Sequence, residues 1–236
     1  MTSEAAAASA GNEGSDSRLV LDPFEIRILA VLAEKEALTP DNYPMSINAL
    51  TNGCNQLSSR DPVMAIAEET VQDTLKRLID RKFVSEVSQA GARVPKYEHR
   101  MRIKWSLEQD KLAVLTMLML RGIQTAGEIR TRVGRMHEFA AVTDVETSLQ
   151  FLVDKYPPLV ARLARAPGTK EPRYAQLLSG EEILEQQEVA ASFSSRVAVD
   201  STRHDRTGKL EEEVASLREQ VASLSRQFEE FKKQFE

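Results

Sequence analysis

The chain has one cysteine, Cys54, in 236 residues. No intrachain disulfide framework can form, and a lone thiol suits a reducing cytoplasm. Histidine is nearly as scarce. His99, His137 and His204 stand far apart and lack ligand spacing to Cys54, so neither metal nor other cofactor is expected. No glycine-rich phosphate loop is present. Cys54 has no base nearby in sequence and reads as a small buried thiol on a helix face, not a nucleophile. Catalysis therefore finds no support. Long apolar runs are missing too: the longest, residues 112–120, is interrupted by Thr116 and is too short for a bilayer. Residues 1–18 hold Ala, Ser, Gly and acids, with Arg18 the only base. That composition predicts a disordered leader, not a signal peptide with its positive start and apolar core.

An excess of positive charge is also lacking. The formal net charge is −5. Residues 1–19 carry −2, residues 20–105 zero, residues 106–180 +2 and residues 181–236 −5. The acidity sits in the tails and the middle is about neutral, whereas a dedicated nucleic-acid binder usually shows a basic surplus.

What the chain does have is a repeat. Val71, Leu75 and Leu78 recur 74 positions later as Val145, Leu149 and Leu152. After each set comes an alternating segment, residues 83–87 and then 159–163. Each leads to a turn at Gly91 or Gly168, then to Pro95-Lys96-Tyr97 or Pro172-Arg173-Tyr174. A repeat of this length is a duplicated domain rather than a short-period solenoid.

Local signals predict the elements within each copy. Asp22-Pro23-Phe24-Glu25 opens a helix, with Asp22 as cap, Pro23 at its first position and Glu25 favouring the dipole. Phe24, Ile28, Leu29 and Leu32 form its apolar stripe. Ser106 with Gln109 predicts a capping box for the matching helix, which carries Leu112, Leu115, Leu118 and Met119. Thr125 with Glu128, and Thr143 with Glu146, predict caps for two more. Residues 44–54 and 68–81 fill those places in the first copy. Three helices followed by a two-stranded hairpin is the winged-helix form of the helix-turn-helix. The expected fold is thus mainly α with small β-wings, an α+β class. Winged-helix domains are expected over residues 19–105 and 106–180.

Bases gather on the two predicted hairpins. The first holds Arg93, Lys96, His99, Arg100, Arg102 and Lys104, and the second Arg162, Arg165, Lys170 and Arg173. Arg130, Arg132 and Arg135 belong to the second helix of the later copy. Such residues can neutralise phosphates or simply coat a solvated strand face. Arg93, Lys96, Arg100, Arg162, Arg165 and Arg173 are the candidates for duplex contact. The third helices are poor phosphate neighbours, since residues 143–155 carry Asp144, Glu146 and Asp154 against one base. Between the second and third helices of the first copy lies a dense polar loop. Its Asn55, Gln56 and Arg60 can recognise bases or a peptide, or the amides can close the turn on its own backbone.

Several short words are specific when taken together: Glu34-Lys35, Thr39-Pro40, Tyr43-Pro44, Ser46, Asn48, Cys54-Asn55-Gln56 and Arg60-Asp61-Pro62-Val63. Leu120-Arg121-Gly122, Gln124-Thr125, Gly127-Glu128, Arg162-Leu163-Ala164-Arg165 and Pro167-Gly168 follow. On these words the chain resembles the YceH-like proteins of bacteria over about residues 19–180. The resemblance implies tandem winged-helix domains and assigns no activity. Two positions depart from the family's usual pattern: Leu57 stands where it has Lys, and Ser59 where it has Asn.

The last segment has its own pattern. Leu210, Val214, Leu217, Val221, Leu224, Phe228, Phe231 and Phe235 alternate spacings of four and three, a heptad seam over residues 209–236. Leucines at d and valines at a favour a parallel dimer, and Glu213 and Arg218 would pair across it. The alternative is a single amphipathic helix folding back on the core. Residues 181–208 are expected to be a helical and flexible linker. The expectation is a cytoplasmic, non-enzymatic homodimer without membrane contact. Two roles stay open: DNA binding with a regulatory purpose, or a protein-interaction scaffold.

Overall fold

A computed structural model of the chain describes residues 20–88, 94–165 and 171–180. The chain divides into two units, Met1–Glu188 and Val189–Glu236, and all described residues fall in the first. The heptad seam, the linker and the leader lie outside them, as do Arg93 and Lys170.

Helix α1 (Pro23–Leu38) starts where its signals place it. The Asp22 carboxylate accepts from the Phe24 and Glu25 N–H groups, and Glu25 accepts from the Asp22 N–H in return. Residues 25–34 are all buried, so α1 is a central helix and not a one-sided one. Phe24, expected on its apolar stripe, is exposed instead, because the first turn projects beyond the core. Helix α2 (Ile47–Cys54) is capped by the Ser46 hydroxyl. It approaches α1 so closely that a Cβ on Gly53 would lie 2.6 Å from Val31 Cγ1. Helix α3 (Glu68–Asp80) buries Val71, Thr74, Leu75 and Leu78. Strands β1 (Val84–Val87) and β2 (Lys96–His99) pair antiparallel, with Val84 opposite His99 and Val87 opposite Lys96.

The same order then recurs. Helix α4 (Met101–Trp105) connects the copies, and helix α5 (Gln109–Arg121) is buried from Leu112 to Leu120. The short strand β3 (Gln124–Thr125) leads into helix α6 (Ala126–Val133). Its expected capping box is present: the Thr125 hydroxyl accepts from the Glu128 N–H and the Glu128 carboxylate from the Thr125 N–H. Helix α7 (Val142–Asp154) buries Val145, Ser148, Leu149 and Leu152. Strands β4 (Val160–Leu163) and β5 (Arg173–Gln176) form the second hairpin, and β3 joins it in the order β3-β5-β4.

The repeat is visible down to single residues. Val71, Leu75 and Leu78 occupy the same helical positions as Val145, Leu149 and Leu152, and all six are buried. Thr74 and Ser148 are the matching buried hydroxyls. After each third helix, a backbone N–H returns to its last buried leucine: Phe83 to Leu78 O and Leu159 to Leu152 O. Met45 bridges Tyr97 through two backbone hydrogen bonds, just as β3 meets Tyr174 of β5. Helices α1 and α5 pack on each other, and one apolar cluster runs through both copies.

Several local expectations need correction. Ser106 does not cap α5. It ends α4 in the left-handed region, at φ 49°, and Glu108 precedes the first turn of α5. Helix α4 itself was expected to be hairpin: burial of Met101 and Trp105 winds this stretch into a turn. Arg102 and Lys104 are therefore helical, and Arg100 sits at the N-cap. Thr143 and Glu146 do not form the cap of α7. The cap lies two residues earlier, at Ala141, whose N–H donates to the Asp144 carboxylate at 2.9 Å.

Candidate nucleic-acid interface

The two hairpins present their bases very differently. On the first, Lys96 is half-buried at the start of β2. Arg100 is exposed but occupied: its Nε donates to Ser85 Oγ at 2.6 Å and its guanidinium pairs with Glu98 at 3.0 Å. His99 is buried, with Nε2 on Glu36 Oε2 at 3.1 Å and Nδ1 accepting from the Met101 N–H. Arg102 also reaches Glu36, and Lys104 donates to the Arg81 carbonyl. Hydrogen bonding from His99, together with the charge of Arg102, holds the Glu36 carboxyl below its usual range. His99, Arg100, Arg102 and Lys104 are thus engaged within the fold, while Lys96 has no ion pair among the described residues.

The second hairpin is not. Arg162 and Arg165 are exposed, and neither has a hydrogen-bond or ion-pair partner among the described residues. Arg173 is half-buried at the start of β5, and its Nε finds no partner among the described residues. Near them, Arg130 donates to the Phe139 and Ala140 carbonyls, and Arg132 to Gln124 Oε1. Arg135 is exposed just past α6.

The polar loop is built inward. Asn55 closes it: Nδ2 donates to the Ile66 carbonyl and Oδ1 accepts from the Ile66 N–H, each at 2.8 Å. Arg60 is only 6% exposed. Its two terminal nitrogens grip Glu34 of α1 at 3.1 and 2.6 Å. Arg60 also donates to the Gly53 carbonyl and to Gln56 Oε1. Asn55, Gln56 and Arg60 are therefore engaged within the fold, and the Arg60 guanidinium has no face left for a base. The loop leaves outside Leu57, 85% exposed, and Val63, along with Ser58, Ser59, Asp61 and Pro62. Asp61 donates its N–H to the Leu120 carbonyl, so the loop of the first copy caps the last turn of α5.

Two residues at this junction were not read as site residues from the sequence, where Glu34 appears only in the word Glu34-Lys35. Arg27 is 2% exposed, and donates to the Cys54 carbonyl at 3.1 Å and the Pro62 carbonyl at 2.5 Å. Burial, with the charge of Arg60 nearby, lowers its affinity for a proton. Glu34 is its acidic counterpart on the same helix. The available signal was Arg27 itself, one base inside the apolar run of residues 26–33. Cys54 sits at the end of α2, where burial pushes its thiol up to about 12 and keeps it protonated. Among the described residues no group of His, Cys, Asp and Glu is placed to hold a metal ion, and no helix is long and apolar enough to cross a membrane.

The outer faces of the third helices are acidic. On α3, Glu68, Glu69, Gln72 and Asp73 point to solvent. Its bases are occupied, Lys76 by Asp73 at 2.9 Å and Arg77 by Asp22 at 2.6 Å; just past it Arg81 meets Glu25 at 2.8 Å and Lys82 is exposed. On α7 the exposed side chains include Asp144, Glu146, Gln150, Phe151 and Asp154.

Comparison with known proteins identifies the family. Residues 21–169 match the family described as "Protein of unknown function, DUF480". A UPF0502 protein of Janthinobacterium sp. (strain Marseille) is 67% identical over 216 residues, covering 92% of this chain and 91% of that protein. A UPF0502 protein of Azoarcus sp. (strain BH72) is 52% identical over 199 residues, 84% of this chain and 87% of its own length. One from Shewanella halifaxensis is 44% identical over 204 residues, covering 83% and 94%. With its matching words spread across both copies, the chain belongs to the DUF480/UPF0502 family, with which the YceH-like resemblance agrees.

Proposed function

We propose that the chain is a non-enzymatic DNA-binding protein with two tandem winged-helix domains, over residues 19–105 and 106–180, and a regulatory role. The fold reading is supported by the recurring order of three helices and a hairpin, and by the strand order β3-β5-β4. The observation that carries the DNA reading is the pair Arg162 and Arg165, exposed and unpartnered among the described residues of the second hairpin. Guanidinium groups free of carboxylates can neutralise phosphates without first breaking an ion pair. In this reading the first hairpin is a minor contributor, because Arg100 is already paired with Glu98. The heptad seam joins two copies and raises their effective concentration on one duplex. The test is Arg162→Ser with Arg165→Ser. The parent should bind duplex DNA with a steep salt dependence, and the double variant should lose about two units of log–log slope, about 0.9 per phosphate contact. An unchanged affinity and slope would show that this hairpin makes no contact.

A protein-interaction scaffold is the second reading. The exposed apolar side chains Leu57, Ile103, Phe151 and Tyr156 favour it. A scaffold would bind no duplex and would hold its partner at high salt, where phosphate contacts fail.

A further inference from the structure

We infer that the duplex is held through its phosphates alone, with no base sequence preferred, because α7 cannot serve as a reading helix. This rests on the DNA reading above and concerns how the same second copy meets its partner. In a winged helix the third helix is the element placed to enter the major groove. Base discrimination there needs free donors and acceptors on its outer face. The outer face of α7 has few. Thr147 Oγ1 donates to the Thr143 carbonyl at 2.9 Å, and Gln150 Nε2 donates to Asp154 Oδ1 at 2.8 Å. Both groups are turned onto their own helix. Around them stand Asp144, Glu146 and Asp154, all exposed. Glu146 makes no ion pair among the described residues, so no contact cancels its charge on this face. Lys111 is already paired with Glu108 and Asp110, which leaves Lys155, 5.5 Å over the Phe151 ring, as one cation against three carboxylates.

The first copy does not supply the missing reader. Gln72 of α3 is exposed, but Glu68, Glu69 and Asp73 surround it, and Lys76 and Arg77 are held by Asp73 and Asp22. Arg60, the other base suited to bidentate recognition, is buried on Glu34. What remains on the second copy is Arg162 and Arg165 on the hairpin edge and Arg135 just past α6, and a guanidinium that neutralises a phosphate carries no sequence information. The acidic helix then acts against deep seating in the groove and leaves the hairpin as the contact.

Fluorescence anisotropy on the full chain can test this, using labelled duplexes of about 20 base pairs with unrelated sequences, AT-rich, GC-rich and mixed, at low salt. Affinities within about tenfold of one another are expected, against the 10³–10⁷-fold preference typical of specific binders. Glu146→Lys should tighten binding to every duplex by a similar factor, since it removes a repulsion common to all of them. Selection from a randomised duplex pool should return no enriched motif. A preference beyond about tenfold, or an enriched motif, overturns the inference and leaves DNA binding standing. A parent that binds no duplex removes the DNA reading itself, and this inference with it.

Discussion

Arg60 and Glu34 illustrate how far a residue's setting decides its role. Arginine in a polar loop suggests recognition, yet this one is spent on a carboxylate 26 positions earlier in the chain. A buried ion pair costs desolvation on both sides, so it is weak evidence of net stability. Breaking it from one side is another matter. Arg60→Ala should destabilise the fold by about 3–5 kcal/mol, less whatever Lys35 recovers by approaching Glu34 from its 3.5 Å distance. Arg60→Met with Glu34→Leu should restore most of that loss. Urea midpoints of the parent and both variants would measure it, and a single variant as stable as the parent would show that the pair is dispensable. Glu36 makes a pH-dependent case. Its carboxyl is held down chiefly by the His99 hydrogen bond, so the folded state favours the ionised form. The resulting stability is present above the ordinary glutamate value of about 4.3 and is lost as pH falls through the lower folded value. Glu36→Gln should therefore be less stable than the parent at neutral pH, and the gap should close in acid. A gap that stays constant from neutral pH to about pH 3 would mean that Glu36 titrates alike in both states.

At the scale of elements, the repeat makes a sharp demand. Leu75 of α3 and Leu149 of α7 occupy matching positions and are both buried. Leu→Ala at either should cost about 2–5 kcal/mol, as the lost transfer energy and the residual cavity add. Thermal or urea unfolding of the two variants should give similar losses. A loss below about 0.5 kcal/mol at either site would be that of a surface change and would contradict the shared register. Much at this scale was legible beforehand. The Asp22 and Thr125 caps are local devices whose partners lie within three residues, so no distant contact was needed to see them. Helix α4 was not legible. Met101-Arg102-Ile103-Lys104-Trp105 continues a basic strand-like pattern, and only the burial of Met101 and Trp105 makes it helical. The same limit applies to Ser106, which has the chemistry of an N-cap but ends one helix instead of starting the next.

At the scale of the whole molecule, the C-terminal seam predicts that two chains pair. Eight apolar residues from Leu210 to Phe235 keep a 3.5-residue period, and they lie outside the described residues. An isolated helix of this length is marginal in water, and pairing would bury the seam. Leu217→Asp with Leu224→Asp should convert a dimer to a monomer in light scattering, by placing like charges at both d positions. A parent that is monomeric at tens of micromolar would mean that the seam is covered by some other surface.

By itself the sequence determined the repetition and the elements that recur in it, α4 excepted. Periodicity and capping are properties of neighbouring residues, and Val71, Leu75 and Leu78 needed no third dimension to be matched with Val145, Leu149 and Leu152. It also determined the charge balance, and with it the weak case for a strongly basic surface. Only the tertiary structure decided which charges are available. Arg60 and Arg100 look as free in the sequence as Arg162 and Arg165, but the first pair meets Glu34 and Glu98, and among the described residues the second pair makes no ion pair. The reason is that an ion pair depends on distance in space. Glu34 and Arg60 lie 26 residues apart in the chain and come together only because α1 and the loop after α2 share one core.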